Sequence, residues 1–268
     1  MDILDKFIGQ AKENIQSGYY KNFEKFAFEA NFSKSRRRDA KFSLKHKLLS
    51  EHFTLIAEIK HAAPAGEYSF DSIDVEKSVF TFKDAGAGAI SVVVEPKIFK
   101  GRLDNILIAK KTGLPVLFKD FIISETQIRA AAALGADCIL LIVKAAERLN
   151  LNLDRLIKTA HSYCLEVLLE CYDTKEIQKA MKTKADIIGI NNRDLQTLQV
   201  NLSRTMEIME FFDKTNHINL PVISESGIKT GKDAEFAKSA GVNGILVGTA
   251  LWTADNLYAK IKELSMRD

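Results

Sequence analysis

The chain has 268 residues, of which 46% are hydrophobic and 27% are charged. This balance excludes intrinsic disorder and coiled coil, because the chain carries enough apolar surface to bury a substantial core. Its 38 basic and 35 acidic residues leave a formal net charge of only +3, so we expect no nucleic-acid partner. No apolar run approaches the ~20 residues of a membrane-spanning helix, and the first residues are acidic where a secretory leader would be basic. We therefore expect a soluble globular protein of the cytoplasm without a membrane partner.

The first 53 residues differ in pattern from the rest of the chain. Apolar positions within residues 3–8 predict an amphipathic helix, and residues 40–53 predict a second one. The basic run 33–38 between them is typical of a solvated loop. We therefore expect a helical extension, residues 1–53, that packs on the remainder of the chain.

From residue 54 onward, short apolar runs alternate with longer amphipathic stretches. The runs are rich in Val, Ile and Leu and nearly continuous, which is typical of parallel strands buried on both faces. They cover residues 55–60, 89–94, 115–120, 138–143, 166–171, 187–192, 221–226 and 244–248. Eight such units predict an α/β fold, a closed (β/α)₈ TIM barrel over residues 54–268, and the whole chain 1–268 as a single domain.

The three cysteines are Cys138, Cys164 and Cys171. One must stay unpaired, their spacing does not fit a metal site, and each lies in or beside an apolar run. We expect buried free thiols, as in a reducing compartment, and no metal ligand among them.

Ionisable side chains stand near the C-terminal ends of alternate predicted strands. They are Glu58, Lys60, Lys119, Glu170 and Glu225. In a barrel, each interior layer draws its side chains from alternate strands, and active sites lie at the C-terminal face. Any one of these residues is equally compatible with a rim charge or a stabilising ion pair, but a set at matching depth is costly to desolvate without a use. Opposed carboxylates and ammonium groups push pKa values apart, so the pattern predicts an active site for acid–base chemistry.

Glycines follow the last two predicted strands. Gly227 comes after strand 7, and Gly248 with Thr249 comes after strand 8. Such loops let backbone N–H groups approach an anion, and this fold uses them most often for phosphate. Because strand 8 closes onto strand 1, Lys60 can reach the same anion, and we expect a small phosphorylated substrate.

These residues together resemble the indole-3-glycerol phosphate synthase family of tryptophan biosynthesis along nearly the whole chain. The matching strings are 56–60, 95–97, 118–122, 135–137, 140–142, 188–195, 224–228 and 247–248. The resemblance implies a barrel with an N-terminal helical extension that needs neither metal nor organic cofactor. It implies a lyase that closes the indole ring of 1-(2-carboxyphenylamino)-1-deoxyribulose 5-phosphate with loss of CO₂ and water. It also leaves open an association with other enzymes of aromatic amino acid biosynthesis.

The resemblance implies a role for each acid–base residue. Lys119 matches the general acid that protonates the ribulose carbonyl oxygen as the aryl carbon attacks it. Glu170 matches the group that handles proton transfer during dehydration, with Glu58 as its partner or substitute. Lys60 would hold the carboxylate or the phosphate, and which of the two lysines is the principal acid stays open.

The resemblance also implies substrate contacts. Three residues would orient the enol and its hydroxyls: Asn191, Glu225 and Ser226. Backbone N–H groups would bind phosphate at Gly227, Gly248 and Thr249. Arg193 matches a residue on the rim of the pocket. Phe99 and Phe121 would flank the aromatic ring, although both are equally compatible with ordinary core packing.

The loop after strand 1 departs from the family's pattern. The family usually has Lys-x-x-Ser-Pro-Ser-Lys-Gly there, whereas this chain has Ala63 and Ala65 in place of the serines and lacks the following Lys. Trp252 also stands where Met is common. We expect synthase activity with weaker substrate binding, and we expect His61 in this loop to be exposed and without a role.

Three other functions stay open. Phosphoribosylanthranilate isomerase shares the phosphate loops, but that family places a Cys at the end of strand 1, and this chain has none there. The altered loop is also compatible with a paralogue that converts a different phosphorylated amino-sugar. The third is a barrel that binds a phosphorylated ligand without catalysis, against which the combination of Lys119 with Glu170 argues.

Overall fold

The structure is a computed structural model that describes residues 2–21, 43–70, 73–215 and 220–266. Eight parallel strands pair in chain order and β8 closes onto β1, which confirms the predicted (β/α)₈ barrel. The strands are β1 Thr54–Ile59, β2 Ala89–Val93, β3 Val116–Lys119, β4 Cys138–Ile142, β5 Glu166–Cys171, β6 Ile187–Asn191, β7 Val222–Glu225 and β8 Gly244–Val247. Within the described parts of the chain, no helix is long and apolar enough to cross a membrane.

Helices surround the barrel and follow the strands. They are α1 Ile3–Gln16, α2 Leu44–Ser50, α3 Val75–Asp84, α4 Asn105–Lys110, α5 Glu125–Ala133, α6 Val143–Arg148, α7 Leu153–Ser162, α8 Thr174–Ala180, α9 Ser203–Thr215, α10 Gly231–Ser239, α11 Thr249–Trp252 and α12 Leu257–Ser265. Short polar side chains cap the helix starts that follow β3, β5 and β7. Ser124 caps α5, Asp173 caps α8, and Thr230 forms a reciprocal capping box with Asp233 on α10.

The alternation along β1 shows why charged residues reach the barrel interior. Leu55, Ala57 and Ile59 lie in the apolar layer between the strands and the helices, whereas Ile56 lies in the cluster that fills the barrel. Because side chains alternate with a period of two, Glu58 follows Ile56 on the inner side, nearer the C-terminal mouth. The barrel therefore has an apolar base and a polar upper layer.

Helix α2 closes the N-terminal end of the barrel. Leu44 and Leu48 are fully buried and belong to the same cluster as the barrel interior. The N-cap residue Ser43 donates its hydroxyl to Glu166 at the start of β5, and the Lys45 N–H donates to the same carboxylate at 3.1 Å. Residues 40–42 of the predicted helix and the basic run 33–38 lie outside the described residues.

Helix α1 lies at the opposite, C-terminal end. Its apolar face buries Leu4, Phe7 and Ile8 against the barrel. Arg148 at the end of α6 holds the start of α1, with its guanidinium 2.8 Å from the Asp2 carboxylate and 2.7 Å from that of Asp5. Helix α1 therefore packs over the mouth of the barrel, where its Phe7 lines the cavity.

The cysteines are only partly as expected. Cys138 and Cys171 are buried in strands, but Cys164 is exposed. The expectation for Cys164 was wrong because this residue stands in the turn between α7 and β5, at a positive φ of 58°, where its side chain leaves the apolar run.

Two adjacent leucines on α2, one buried and one exposed, test whether this helix packs against the N-terminal end of the barrel. Leu48 is fully buried, whereas Leu49 is 56% exposed. We expect Leu48→Ala to lower the free energy of unfolding by about 2–5 kcal/mol, because it leaves a cavity between α2 and the barrel. Leu49→Ala should change it by less than ~0.5 kcal/mol. Chemical unfolding curves measure both, and equal effects would contradict the placement of α2.

Candidate active site

A cavity of about 1150 Å³ opens at the C-terminal mouth of the barrel. All the site residues selected from the sequence except Glu225 line it. Those residues are Glu58, Lys60, Lys119, Glu170, Asn191, Arg193, Ser226, Gly227, Gly248, Thr249, Phe99 and Phe121. The strand ends thus bring together, in one cavity, side chains that are up to 191 positions apart in the sequence, as Glu58 and Thr249 are.

Glu58 is the residue on which both lysines converge. Its carboxylate lies 2.9 Å from Lys119 Nζ through Oε2 and 3.3 Å from Lys60 Nζ through Oε1. Ser91 donates its hydroxyl to Oε2 at 3.2 Å. Burial alone would raise the pKa of Glu58, but the two ammonium groups outweigh it and hold this pKa below its ordinary value. Glu58 is therefore an ionised carboxylate at neutral pH.

The two lysines differ in protonation. Burial opposes the charge of Lys119, but Glu58, Glu225 and Glu170 together outweigh burial and raise its pKa above the ordinary value. For Lys60, burial dominates over the attraction of Glu58, and its pKa is lowered. Lys119 is thus a firmly held cation, and Lys60 gives up its proton more readily.

Glu170 has the opposite shift from Glu58. It accepts a hydrogen bond from Asn191 Nδ2 at 2.9 Å and is otherwise surrounded by barrel residues. Burial is the main cause and the charge of Glu225 the next, and together they raise the pKa of Glu170 to about 8. At neutral pH Glu170 therefore carries a proton that it can donate.

Glu225 ends β7 beside the cavity but is not one of the residues that line it. It is 1% exposed, and its Oε2 stands 3.4 Å from Lys119 Nζ. No described residue makes a hydrogen bond to either of its oxygens. A Cβ on Gly189 would come within 2.3 Å of Oε1, so only glycine leaves room for this carboxylate. Glu225 is therefore held within the site against Lys119, and its implied contact with substrate hydroxyls stays a prediction.

A second part of the cavity is built from backbone N–H groups. Ser226 and Gly227 have consecutive positive φ values of 69° and 83°, which turn the β7 loop sharply. No described residue accepts a hydrogen bond from the N–H of Gly227, Gly248 or Thr249. Lys60 Nζ lies 3.3 Å from the Thr249 hydroxyl, so a cation stands beside these donors. Such a set suits a phosphate group.

The apolar part of the cavity includes a residue that sequence analysis missed. Phe7 on α1 packs with its ring centroid 4.7 Å from that of Phe121 and 5.7 Å from that of Phe99, and all three line the cavity. The sequence placed Phe7 only on the apolar face of a helix. Nothing in that pattern indicates which part of the barrel the helix covers.

Arg193 follows β6 and lines the cavity. Its backbone N–H donates to Asn191 Oδ1 at 2.9 Å, and its guanidinium donates to the carbonyl of Leu198 at 3.2 Å. The guanidinium also stands 3.5 Å from the carboxylate of Glu67 in the loop after β1. This ion pair links the two loops across the mouth.

The loop after β1 is more ordered than the sequence suggested. The Phe70 N–H donates to the His61 carbonyl at 2.9 Å, and the Ala63 N–H donates to the Tyr68 carbonyl at 3.0 Å. This pairing folds His61 inward to 5% exposure, with Nε2 3.2 Å from Asn105 Nδ2. The expectation of an exposed His61 was wrong, because the loop doubles back on itself.

A barrel with opposed carboxylates and lysines in its mouth, beside unpaired N–H donors, defines an enzyme that uses acid–base chemistry on a small molecule. The model of the indole-3-glycerol phosphate synthase family matches residues 4–264, and the chain belongs to this family. The match confirms the resemblance found in the sequence and the expectation of a lyase of tryptophan biosynthesis.

Named relatives agree with the family. The indole-3-glycerol phosphate synthase of Bacillus mycoides (strain KBAB4) is 37% identical over 257 residues, covering 95% of this chain and 94% of the relative. That of Bacillus thuringiensis (strain Al Hakam) is 37% identical over 262 residues, covering 96% and 95%. Among solved structures, thiamine phosphate pyrophosphorylase from Pyrococcus furiosus superposes with a TM-score of 0.59 at 19% identity, covering 81% of this chain and 96% of that one. At this identity the likeness concerns the fold alone.

A substitution at Gly248 tests how closely the loop after β8 approaches Glu58 and Lys60. A Cβ there would lie 2.5 Å from Glu58 Oε1 and 3.2 Å from Lys60 Nζ. We expect Gly248→Ala to displace both groups and to lower kcat/KM in the synthase assay by roughly 10²-fold. Gly9→Ala on α1 is the control, since nothing lies within 4 Å of its added Cβ. Unchanged activity of Gly248→Ala would contradict the close approach of Glu58 and Lys60 to this glycine.

Proposed function

We propose that the protein converts 1-(2-carboxyphenylamino)-1-deoxyribulose 5-phosphate into indole-3-glycerol phosphate, CO₂ and water. The observation that carries the proposal is a pair of buried carboxyl groups with opposite pKa shifts in one cavity: Glu58, in contact with the Lys119 ammonium, and Glu170, hydrogen-bonded to Asn191. A single cavity holds this set together with the phosphate donors. Family membership and the names of the relatives support the same activity.

The proposed substrate spans the cavity from one side to the other. Its phosphate would take the N–H groups of Gly227, Gly248 and Thr249, with Lys60 as the neighbouring cation. Its aromatic ring would lie toward the phenylalanines on the other side, Phe7, Phe99 and Phe121. Its carboxylate would meet Arg193, whose present partner Glu67 is exposed enough to move away. Asn191 and Ser226 would hold the hydroxyls between these ends.

The first half of the reaction closes the ring. The aryl carbon that carries the carboxylate attacks the ribulose carbonyl carbon, and the carbonyl oxygen takes a proton from Lys119. The new C–C bond is retained, the C–CO₂ bond breaks, and its electron pair restores the aromatic ring. Lys119 suits this step because neighbouring carboxylates keep it protonated at the point where negative charge develops on oxygen.

The second half removes water. The hydroxyl formed in the first half leaves with a proton from Glu170, which is neutral at pH 7. The adjacent carbon loses a proton to Glu58, which is ionised at the same pH. Two carboxyl groups thus take the acid and the base role because their surroundings differ.

Lys119→Ala tests the acid assignment. We expect a loss of about 10²–10⁴-fold in kcat, because Lys119 is the one cation among the described residues that contacts both Glu58 and Glu225. The measurement is the growth of indole-3-glycerol phosphate fluorescence with purified protein and substrate, with no metal or cofactor added. Lys111→Ala is the matched control, since Lys111 pairs with Glu76 on the surface. Turnover of Lys119→Ala at the parental rate would remove Lys119 from the mechanism.

Glu170→Gln tests the second half through its pH dependence. Glu170 is a competent acid below a pKa of about 8, so we expect kcat of the parent to fall as pH rises above 8. The amide cannot donate this proton, so Glu170→Gln should be slow at every pH and lack that limb. Because the folded pKa is raised, the parent loses stability as pH rises from the unfolded value near ~4.3 toward 8. The variant should therefore gain in Tm over the parent between pH 5 and 8, and a constant difference would contradict the raised pKa.

We also propose a cytoplasmic location and no nucleic-acid partner. The free thiols of Cys138 and Cys171 support the former, since they suit a reducing compartment. The near-neutral charge supports the latter. Association with other enzymes of the pathway stays open.

A further inference from the structure

Trp252, the last residue of α11, reaches back to the end of β1. Its indole N–H donates to the backbone carbonyl oxygen of Glu58 at 2.8 Å. It is the only tryptophan in the chain, and neither the acid–base set nor the proposed phosphate donors include it. Because the carbonyl groups of a parallel strand ordinarily accept from the neighbouring strand, a side-chain donor in that place calls for an explanation.

The explanation lies in the point at which the ladder between β1 and β8 stops. The ladder starts with the Thr54 N–H, which donates to the Asn243 carbonyl at 3.0 Å, and the pairing ends at Val247. Since the bonds of a parallel ladder repeat at every second residue, one further step would join the Thr249 N–H to the Glu58 carbonyl. That bond is not formed.

The Thr249 N–H is therefore left over at the end of the ladder. Trp252 occupies the carbonyl that this N–H would otherwise reach, and among the residues that the structure describes no other acceptor takes it. Thr249 lines the cavity, and Lys60 Nζ stands 3.3 Å from its hydroxyl. An unpaired backbone donor beside an ammonium group suits an anion.

Two aromatic rings hold the indole of Trp252 in this position. Phe70, in the loop after β1, lies 6.3 Å from it between ring centroids, and Phe82 on α3 lies 6.1 Å from it in an edge-to-face arrangement. These contacts restrict the orientation of the indole. Its N–H is thus on the Glu58 carbonyl before an anion arrives.

We propose that Trp252 is a positioning residue for phosphate, which occupies the Glu58 carbonyl and so keeps the Thr249 N–H free for the anion. Without the indole N–H, this buried carbonyl would lack a donor, and the register of the ladder brings the Thr249 N–H to it. The N–H would then be divided between the carbonyl and the anion, which weakens binding of the anion. This inference rests on the proposed function for the identity of the substrate, but the anion site itself can be probed with inorganic phosphate.

Trp252→Phe tests the proposal because it keeps an aromatic ring and removes the donor. We expect KM to rise roughly tenfold, the loss of about one hydrogen bond to an anion, with kcat within about twofold of the parent. The concentration of inorganic phosphate that gives half of the maximal rise in Tm should increase by a similar factor. Leu48→Ala is the control for lost stability, since it acts at the opposite end of the barrel and should leave KM and the phosphate response unchanged.

Amide hydrogen exchange at Thr249, followed by NMR, tests the path directly. In the parent without phosphate, this amide should exchange faster than that of Val247, which is paired with β1, and phosphate should slow it. In Trp252→Phe without phosphate, the Thr249 amide should already be slowed, because it now pairs with the Glu58 carbonyl. The measurement on the parent holds even where the variant folds too poorly for an assay.

An unchanged KM and phosphate response in Trp252→Phe would overturn the proposal. A Thr249 amide that is protected in the parent without phosphate, or that exchanges equally in parent and variant, would overturn it as well. A fall in Tm with an unchanged phosphate response marks a purely structural role of the indole and has the same consequence. If the parent fails to turn over the substrate, while phosphate stabilises Trp252→Phe less well and the Thr249 amide is slowed, the proposed function fails and the role of Trp252 stands.

Discussion

The contact between the Lys119 ammonium and the carboxylates of Glu58 and Glu225 sets the charge balance at the mouth of this barrel. With Lys60 and Glu170, the cluster holds three buried carboxyl groups and two ammonium groups. Full ionisation would leave one excess negative charge in a poorly solvated place, which is costly. The cluster avoids this by retaining one proton on the Glu170–Glu225 side, where both pKa values are raised. The acid and the base of the proposed reaction are thus consequences of charge balance.

That balance requires room for the carboxylates, and the backbone supplies it at two glycines. Gly189 on β6 leaves space for Glu225, and Gly248 after β8 leaves space for Glu58. Both carboxylates lie closer to the neighbouring strand than any Cβ would permit. Because a parallel barrel fixes the distance between strands, a larger residue could be accepted only by moving the carboxylate away from its lysine. Gly189 and Gly248 therefore help to keep Glu225 and Glu58 within ion-pair distance of the lysines.

The sequence predicted the strands well because each is buried on both faces and gives a nearly continuous apolar run. The runs at β5 and β8 agree with the structure within a residue at either end. Charged and polar residues at the ends of these apolar runs predicted the cavity, because in a barrel the C-terminal strand ends are where such side chains can be partly buried. The sequence pattern did not predict the position of side chains that depends on contacts between elements far apart in the chain. Phe7 reaches the cavity only because α1 covers the mouth, and His61 is buried only because its loop doubles back.

Helix α1 connects the stability of the fold to the function of the site. Its Phe7 forms part of the apolar wall, while Asn14 donates to the Glu95 carboxylate at 3.1 Å. Glu95 in turn accepts the N–H groups of Ile98 at 2.6 Å and Phe99 at 3.0 Å, which fixes the loop that presents Phe99. Loosening α1 would therefore disturb the aromatic side of the cavity at two places, through the lost ring of Phe7 and through the released loop after β2. The acid–base residues lie on the strands, so we expect the extension to bear more directly on the aromatic side of the cavity than on proton transfer.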